Sequence, residues 1–277
     1  MAFARRSAAV MRALAKRCQH LLWDLKVRLS RPVAVALRQK ATVVIPTYST
    51  ERARGVALTV RAVLRCLFVE TLIVSNHNPD IRIENYIRSH DPRLLLLNQP
   101  TRRGCGYQWD IAASRAPEFL ISIDDDIRLL PSQLALLFER LVADPQRPHG
   151  LMGSRDEEFF ENREMEVGEL NQVYAITAAQ LRVYLALVAA LTSRGLVTAE
   201  TIEFWGDDIL ISRTGTRPPR IHAAGRVLRC ATASDPRVAI HKQAEFRQRR
   251  SEVWNALKQV PTPTTSAGGD VAELRTV

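Results

Sequence analysis

The sequence predicts an α/β protein whose main domain is built on a mostly parallel central sheet with helices on both faces. Short runs of aliphatic and β-branched residues alternate with longer stretches in which apolar residues recur every three or four positions. This alternation is typical of strands and helices that follow one another along a parallel sheet. Three of the strands end in polar residues, at Tyr48, Asn76 and Asp124. Because ligands bind at the carboxyl ends of the strands in an open α/β sheet, we expect a nucleotide-type site at this edge.

The first half of the chain contains the clearest elements. Its apolar runs are closed by turn residues, as at Asn78 and Pro79. The segment Gly104-Cys105-Gly106 lacks the third glycine of a dinucleotide-binding fingerprint, so it does not predict one. The predicted elements are strands over 42–48, 70–76, 94–97 and 119–123, and helices over 55–69 and 131–142.

The second half is less regular. The pattern predicts a short strand over 150–153, a charged loop or edge over 155–169, and a long apolar helix over 174–191. From residue 260 the chain is rich in Pro, Thr, Ser and Gly, so we expect a disordered tail over 260–277.

The rest of the chain is organised around the stretch that follows Ile123. A buried strand ends abruptly in Asp124, Asp125 and Asp126. Three adjacent carboxylates repel one another, and a bound cation relieves that repulsion. Oxygen ligands suit a hard divalent ion, Mn²⁺ or Mg²⁺, with phosphate oxygens and waters completing its shell. The alternatives are a solvated acidic turn or an acidic N-cap for the helix that begins near Pro131.

A second acidic pair, Asp207 and Asp208, lies between apolar residues. Taken alone, the pair favours a helix N-cap, because Ile209 and Leu210 open an apolar run.

The net charge of +10 is concentrated in one segment. Residues 1–40 contain ten Lys and Arg but one acid, Asp24, and so carry +9 of the total. The main domain is therefore close to neutral, which argues against a nucleic-acid-binding face on it. Four cysteines stand far apart without a Cys-x-x-Cys pair, so neither a zinc site nor a disulfide framework is predicted. The sequence contains no run of about 18 apolar residues, so it does not predict a transmembrane helix.

The basic segment also has the spacing of an amphipathic helix. Its basic residues lie outside the apolar face, as in helices that lie on a membrane surface. Two other interpretations stay open: the apolar face packs on the protein's own domain, or the Arg-rich, acid-poor segment is a targeting sequence. The residues of the predicted apolar face are Met11, Leu14, Cys18, Leu21, Leu22, Leu25 and Leu29.

The motifs of both halves, taken together, resemble those of a known family. The first half is similar to glycosyltransferases of the GT-A fold with a DxD motif, and the second half narrows the resemblance to the exostosin-like enzymes, glycosyltransferase family 64. The resemblance runs in consistent order over roughly residues 42 to 258. It implies a GT-A domain over 41–259, preceded by the basic segment 1–40 and followed by the tail 260–277. The matching stretches are Asp124-Asp125-Asp126, Gly153-Ser154-Arg155, Trp205-Gly206-Asp207-Asp208-Ile209, Thr216-Arg217-Pro218-Pro219 and Arg250-Ser251-Glu252-Val253-Trp254-Asn255.

The sequence departs from the family at three positions. Two family cysteines, which we take to be a bridged pair, are replaced by Gly206 and Val253. A protein that folds in a reducing compartment has no use for such a bridge, so we expect a cytoplasmic location with peripheral membrane attachment. The family's Asn is Trp205 here, which leaves the recognition of the acceptor open.

The resemblance implies a set of site residues. Asp126 is the expected metal ligand, and Mn²⁺ or Mg²⁺ is the expected cofactor. Asp208 is the expected carboxylate on the reacting face, with Asp207 beside it. Arg250, with Arg249 as the fallback, would neutralise the departing diphosphate. The expected donor-binding residues are Arg52, Asn76, Asp124 and Asp125.

The expected function is a metal-dependent, retaining transfer of a sugar, an N-acetylhexosamine by resemblance, from a UDP-sugar to a glycan or lipid-linked acceptor. Two alternatives stay open. One is an inverting transferase of family 2, in which Asp208 deprotonates the acceptor hydroxyl. The other is a catalytically inactive GT-A protein that acts at a membrane. An anionic membrane surface is a further expected partner, and nucleic acid is not.

Overall fold

The computed structural model describes residue 11 and residues 18–230, 232–233, 235 and 238–261. The strands are β1 Ala41–Thr47, β2 Val69–Asn76, β3 Leu94–Asn98, β4 Phe119–Ile123, β5 Ile127–Arg128, β6 His149–Gly150, β7 Met152–Arg155, β8 Glu158–Glu161, β9 Met165–Glu166, β10 Glu169–Leu170, β11 Val173–Thr177, β12 Arg220–Ile221 and β13 Leu228–Arg229. The helices are α1 (residues 18–29), α2 Thr50–Leu64, α3 Tyr107–Ala113, α4 Pro131–Ala143, α5 Ala178–Ser193, α6 Ala199–Trp205, α7 Asp207–Ile211 and α8 Phe246–Leu257.

The central sheet has eight strands in the order β3-β2-β1-β4-β11-β6-β12-β9. The first four are parallel to one another, and β11 joins β4 in the antiparallel direction. This confirms the predicted α/β class with a mostly parallel sheet. Small sheets of β10-β7-β8 and β13-β5 complete the described strands.

Helices cover both faces of the sheet. Alternate residues of each strand point to opposite faces, so their side chains pack into two separate cores. On β1, Val43 and Ile45 pack into the core that α2 and α4 cover. Val44 points the other way, into the core beneath α3, α5 and α8.

The prediction of a helix over 174–191 is wrong at its start. Val173–Thr177 forms β11, paired along its length with β4, and the helix begins only at Ala178. Thr177 caps it by accepting a hydrogen bond from the Gln180 backbone N–H (3.3 Å), while the Gln180 side chain accepts one from the Thr177 N–H (2.9 Å). The apolar run therefore concealed a strand, which periodicity alone does not separate from a buried helix.

Two other boundaries also differ from the prediction. The helix predicted over 55–69 is α2, which runs over Thr50–Leu64 because Ser49 is its N-cap. The strand predicted over 150–153 is divided between β6 and β7, which belong to different sheets. Most of the tail predicted over 260–277 lies outside the described residues.

The basic segment forms α1, which packs through Trp23 and Val27 against Ala62 of α2 and against Leu228. The predicted apolar face is turned away from the domain, and Leu21 and Leu29 are 70% and 74% exposed. Leu14 of that face lies outside the described residues. Within the described part of the chain, no helix is long and apolar enough to span a membrane.

A buried arginine supports the end of β4. Arg128 is 2% exposed and donates hydrogen bonds to the backbone carbonyls of Asp125 (2.7 Å) and Ile127 (2.9 Å). Its guanidinium lies directly against α2 at Gly55, where an added Cβ would be 2.0 Å from Nη2. A glycine at this position lets the helix and the arginine approach closely enough to fix the turn that carries the aspartates.

Candidate active site

The three consecutive aspartates lie where β4 ends, and the middle one is fully engaged. Asp125 is 5% exposed. Its Oδ2 accepts hydrogen bonds from the Thr47 hydroxyl (2.9 Å) and the Tyr48 backbone N–H (3.3 Å). Its Oδ1 accepts one from the Arg52 guanidinium (2.9 Å). Asp125 therefore joins the end of β4 to the end of β1 and the start of α2.

Arg52 is the cation that balances these carboxylates. The N-cap Ser49 accepts a hydrogen bond from the Arg52 backbone N–H (3.2 Å), which fixes the first turn of α2. The guanidinium then lies 2.9 Å from Asp125 Oδ1 and 3.4 Å from Asp126 Oδ2. Burial acts to lower the pKa of Arg52, but the two carboxylates outweigh it and raise the pKa above its ordinary value. The expected contact of Arg52 with a nucleotide stays a prediction.

The two outer aspartates are held less firmly than Asp125. Asp126 accepts a hydrogen bond from the Gln172 amide at 3.2 Å and faces Arg52 at 3.4 Å, both long contacts. Burial raises the pKa of Asp126 to about 6, although Arg52 opposes this. Asp124 is half-buried, and within the described residues no group donates a hydrogen bond to its carboxylate. Desolvation raises its pKa well above the ordinary value, and the charges of Asp126 and Asp125 add to this effect.

This donor set fits a hard divalent cation that is bound together with phosphate oxygens. Among the residues that the structure describes, no three His, Cys, Asp or Glu side chains are arranged to hold a metal ion by themselves. A cation of this kind needs only one or two protein carboxylates when substrate phosphates and waters complete its shell. Asp124 offers a carboxylate without a protein donor, and Asp126 offers one with two long contacts. These two residues would hold the cation.

The second acidic pair opens α7, and its first member is an internal anchor. The N-cap of α7 is Gly206, without a side-chain hydrogen bond, so neither aspartate acts as the N-cap. Asp207 is 7% exposed and accepts hydrogen bonds from the Gln108 amide (3.3 Å) and the Trp109 indole (3.1 Å). Burial raises the pKa of Asp207 to about 7, and the charge of Asp208 contributes.

Asp208 shares an arginine with a carboxylate from another part of the chain. Arg250 on α8 donates hydrogen bonds to Asp208 Oδ1 (2.6 Å) and to the carboxylate of Glu169. Glu169 also accepts one from the Trp254 indole (2.7 Å). Burial acts to lower the pKa of Arg250, but Asp208 and Glu169 raise it overall. Within the described residues, Asp208 Oδ2 has no hydrogen-bond donor.

The two acidic clusters belong to one site, because two connections join them. Gln108 accepts a hydrogen bond from Ser122, near the end of β4, and donates one to Asp207. In addition, the short stretch from β10 to the start of β11 reaches both clusters, since Glu169 of β10 binds Arg250 and Gln172, just before β11, binds Asp126. The structure thus brings together the predicted Asp124 to Asp126, Arg52, Asp207, Asp208 and Arg250.

Asn76 has a different environment from the other predicted residues. It is fully buried, and its amide donates to the backbone carbonyls of Asn78 (2.8 Å) and Ile81 (2.6 Å) and to the side chain of Asn98 (3.1 Å). These bonds shape the loop after β2. A direct contact between Asn76 and a nucleotide stays a prediction.

Sequence reasoning missed three residues of the site: Gln108, Glu169 and Gln172. Glu169 ends a highly charged stretch in which no spacing singles it out. Gln172 has a φ of 63°, a left-handed conformation that is uncommon for residues other than Gly, Asn and Asp. Neither that conformation nor the contacts of Gln108 leave a signal in a single sequence.

Comparison with known proteins identifies the fold. No protein-family model matches the chain, and no curated protein matches it. Among solved structures, GalNAc-T7 with UDP, GalNAc and Mn²⁺ superposes with a TM-score of 0.53 at 13% identity, over 79% of this chain and 50% of that chain. This chain therefore spans about half the length of the GalNAc-T7 chain.

Two further solved structures are similar at a lower level. S. aureus TarS 1–349 has a TM-score of 0.47 at 12% identity, over 80% of this chain and 72% of that one. The mannosyltransferase PcManGT from Pyrobaculum calidifontis, in complex with GDP-Man and Mn²⁺, has a TM-score of 0.47 at 14% identity, over 93% and 77%. The likeness to GalNAc-T7 establishes the GT-A fold for this chain, and at such low identity it establishes the fold alone.

The arrangement around Arg250 predicts a large effect on stability. Arg250→Ala would leave Asp208 and Glu169 facing each other without a cation, and loss of one partner from a mostly buried ionic cluster costs about 3–5 kcal/mol. Arg249→Ala is the matched control, because Arg249 is 42% exposed and pairs with surface glutamates, and surface changes cost about 0.5 kcal/mol or less. Urea unfolding of both variants measures the difference.

The loss in Arg250→Ala should shrink as the pH falls, because burial already raises the pKa of Glu169 and its protonation relieves the repulsion. Equal losses in the two variants would show that the Arg250 cluster does not contribute in this way.

Proposed function

We propose that this protein is a divalent-cation-dependent glycosyltransferase that uses a nucleotide-diphosphate sugar. The observation that carries the proposal is the pairing, at the carboxyl edge of a GT-A sheet, of the weakly held carboxylates Asp124 and Asp126 with a second acidic cluster built around Arg250. The first cluster suits a cation and phosphates, and the second offers a carboxylate and a cation for the reacting sugar.

The role of the first cluster, Asp124 to Asp126, is to stabilise the diphosphate leaving group. A divalent cation there would neutralise the charge that develops on the diphosphate as the sugar bond breaks. Asp126 and Asp124 would bind it, and Asp125 would keep the turn in position through Thr47 and Arg52. Donor-sugar and ribose hydroxyls are suitable partners for the remaining oxygens of Asp124.

The second cluster acts on the sugar. Asp208 Oδ1 is bound to Arg250, which leaves Oδ2 available to the reacting face. Arg250 can release one of its two carboxylates to approach the departing phosphate while the other holds it in place. Asp207 is held by hydrogen bonds from Gln108 and Trp109, and it thereby fixes the position of the adjacent Asp208.

We favour the exostosin-like subclass, with a UDP-sugar donor, an N-acetylhexosamine and retention of configuration. This choice is supported by the contact between Gly206 and Val253, the two positions at which that family has cysteines. A Cβ added at Gly206 would lie 3.1 Å from Val253 Cβ, although the two residues are far apart in sequence. A bridge between these positions would need only a small separation of the two segments.

The acceptor in this proposal is a glycan or a lipid-linked saccharide, and the compartment is a reducing one. The basis for a reducing compartment is that Gly206 and Val253 stand where the family has its two cysteines.

An inverting reaction is the second candidate, and the free Oδ2 of Asp208 favours it as much as retention, because a general base needs an unengaged oxygen. The stereochemistry at the anomeric carbon, followed by proton NMR during turnover, distinguishes the two mechanisms.

Asp126→Ala should abolish Mn²⁺-dependent binding of UDP while the protein stays folded. Removal of one carboxylate also removes part of the repulsion among the aspartates, so we expect no loss of thermal stability without metal. Isothermal titration calorimetry with UDP, with and without Mn²⁺, measures the effect. Unchanged affinity in a folded variant would rule out Asp126 as a metal ligand.

Asp208→Asn should lower turnover by orders of magnitude with nearly unchanged binding of UDP, because the interaction it removes belongs to the reacting sugar. Turnover and melting temperature are measured on one preparation. If the variant loses stability but keeps its turnover, Asp208 is a structural residue of α7.

The double variant Gly206→Cys with Val253→Cys should form a disulfide under oxidising conditions. The Cβ separation is slightly shorter than the usual 3.5–4.5 Å, so the segments need to move apart only a little. Chain entropy predicts a gain of up to about 4 kcal/mol for a loop of this length. Peptide mapping without reductant detects the bridge, and each single variant is the control. If both thiols stay free, the inferred correspondence with the family's cysteines is wrong.

A further inference from the structure

Helix α1 is fixed to the domain by a face that was not predicted. Trp23 and Val27 are 9% and 1% exposed and pack against Ala62 of α2 and against Leu228. At the end of the helix, Arg65 donates a hydrogen bond to the Arg28 carbonyl (2.8 Å). The helix therefore has a defined orientation on the domain.

The opposite face of α1 is apolar and open to solvent. Leu21, Leu22, Leu25 and Leu29 are 70%, 60%, 49% and 74% exposed. They recur at three- and four-residue spacing, which places them on one side of the helix. In the described residues beyond this segment, the exposed large apolar side chains are Tyr48, Leu67 and Phe159, which lie on separate elements.

The charges of residues 18–40 are nearly all positive. Residues 1–40 contain one acid, Asp24, and it is turned towards the domain, where it pairs with Arg28 (2.8 Å) and with Arg61 of α2. Its side chain is 19% exposed. Lys26, Arg28 and other bases of the segment are exposed. A partner that contacts the leucines therefore meets positive charge without an opposing carboxylate from residues 18–40.

We propose that α1 lies flat on an anionic lipid bilayer, with Leu21, Leu22, Leu25 and Leu29 inserted among the lipids and the neighbouring Lys and Arg side chains at the phosphate level. Apolar insertion and attraction to anionic headgroups act together in such helices. This inference does not depend on the proposed sugar transfer.

A second copy of the chain is a poorer partner for this face. The part of α1 that the structure describes, residues 18–29, gives a face about 18 Å long and 10 Å wide, smaller than the roughly 800 Å² per partner of a stable interface. Two copies would also bring two strongly basic segments together, and these repel each other. A lipid surface has neither restriction, because it is continuous and carries the opposite charge.

Binding at α1 would also set the orientation of the candidate active site. Helix α2 carries Arg52 on its first turn and receives α1 along its second half, at Arg61 and Ala62. Because α1 is joined to a helix that leads to the aspartates, the site would keep a constant orientation relative to the membrane.

Co-sedimentation of the full-length protein with lipid vesicles tests the proposal. One set of vesicles consists of phosphatidylcholine, and the other also contains phosphatidylserine. We expect binding to the anionic vesicles, weaker binding to the neutral ones, and a decrease when salt screens the headgroup charge. Combined Leu21→Gln, Leu25→Gln and Leu29→Gln substitutions should reduce binding at least tenfold. Removal of the segment is a poorer test, because it would expose the surface beneath Trp23.

Two controls separate the proposal from its alternatives. Phe159→Gln removes an exposed apolar side chain on another element and should bind like the unmodified protein. Combined Lys26→Gln, Arg31→Gln and Arg38→Gln substitutions should weaken binding only to the anionic vesicles. All these side chains are exposed, and circular dichroism verifies the fold.

The proposal is overturned if the unmodified protein does not bind anionic vesicles, or if the leucine variant binds them equally well. It is also overturned if analytical ultracentrifugation shows a dimer that the leucine substitutions dissociate, because the face would then be covered by a second copy.

Discussion

The structure depends on the balance of charge at the carboxyl edge of the sheet, where each of two groups of carboxylates is paired with an arginine. Arg52 binds Asp125 and approaches Asp126, and Arg250 joins Asp208 to Glu169. Arg52 comes from α2 and Arg250 from α8, whereas the acids lie after β4, on α7 and on β10, so the pairing of these charges requires the folded arrangement of all these elements. A ligand that brings a cation and a diphosphate would find carboxylates for the first and arginines for the second.

The sequence predicted the part of this arrangement that is local. Strand β4 and the aspartates after it are adjacent in the chain, and the strand–helix alternation requires a parallel sheet whose ends converge. Arg250 and Asp208 were predicted as partners in the site only through the family resemblance, since nothing in their spacing relates α7 to α8. The contact of Gly206 with Val253 likewise joins two positions that the chain's own pattern does not relate.

The remainder could not be predicted, for reasons that are physical. Strand β11 is apolar on both faces because Val173 and Ala175 pack into one core and Tyr174 and Ile176 into the other, so it has no alternation that distinguishes it from the helix that follows. Glu169 and Gln172 act through partners more than 40 residues away. On α1 the predicted apolar face was chosen by its leucines, but the domain receives Trp23 and Val27 instead. The burial of a face depends on the shape of the surface it meets, which hydrophobicity alone does not specify.

The central claim is that the edge formed by Asp124 and Asp126 binds a divalent cation together with a nucleotide diphosphate. Electron paramagnetic resonance of Mn²⁺ tests it directly, because the signal of free Mn²⁺ falls when the ion binds. Because UDP itself binds Mn²⁺, each nucleotide is also measured without protein. Relative to that baseline, the account predicts weak binding of Mn²⁺ to the protein alone, strong additional binding when UDP is present, and little change with UMP, which lacks the second phosphate. If UDP and UMP have the same effect, or if neither increases the binding of Mn²⁺, the site does not bind a metal-diphosphate pair and the account is contradicted.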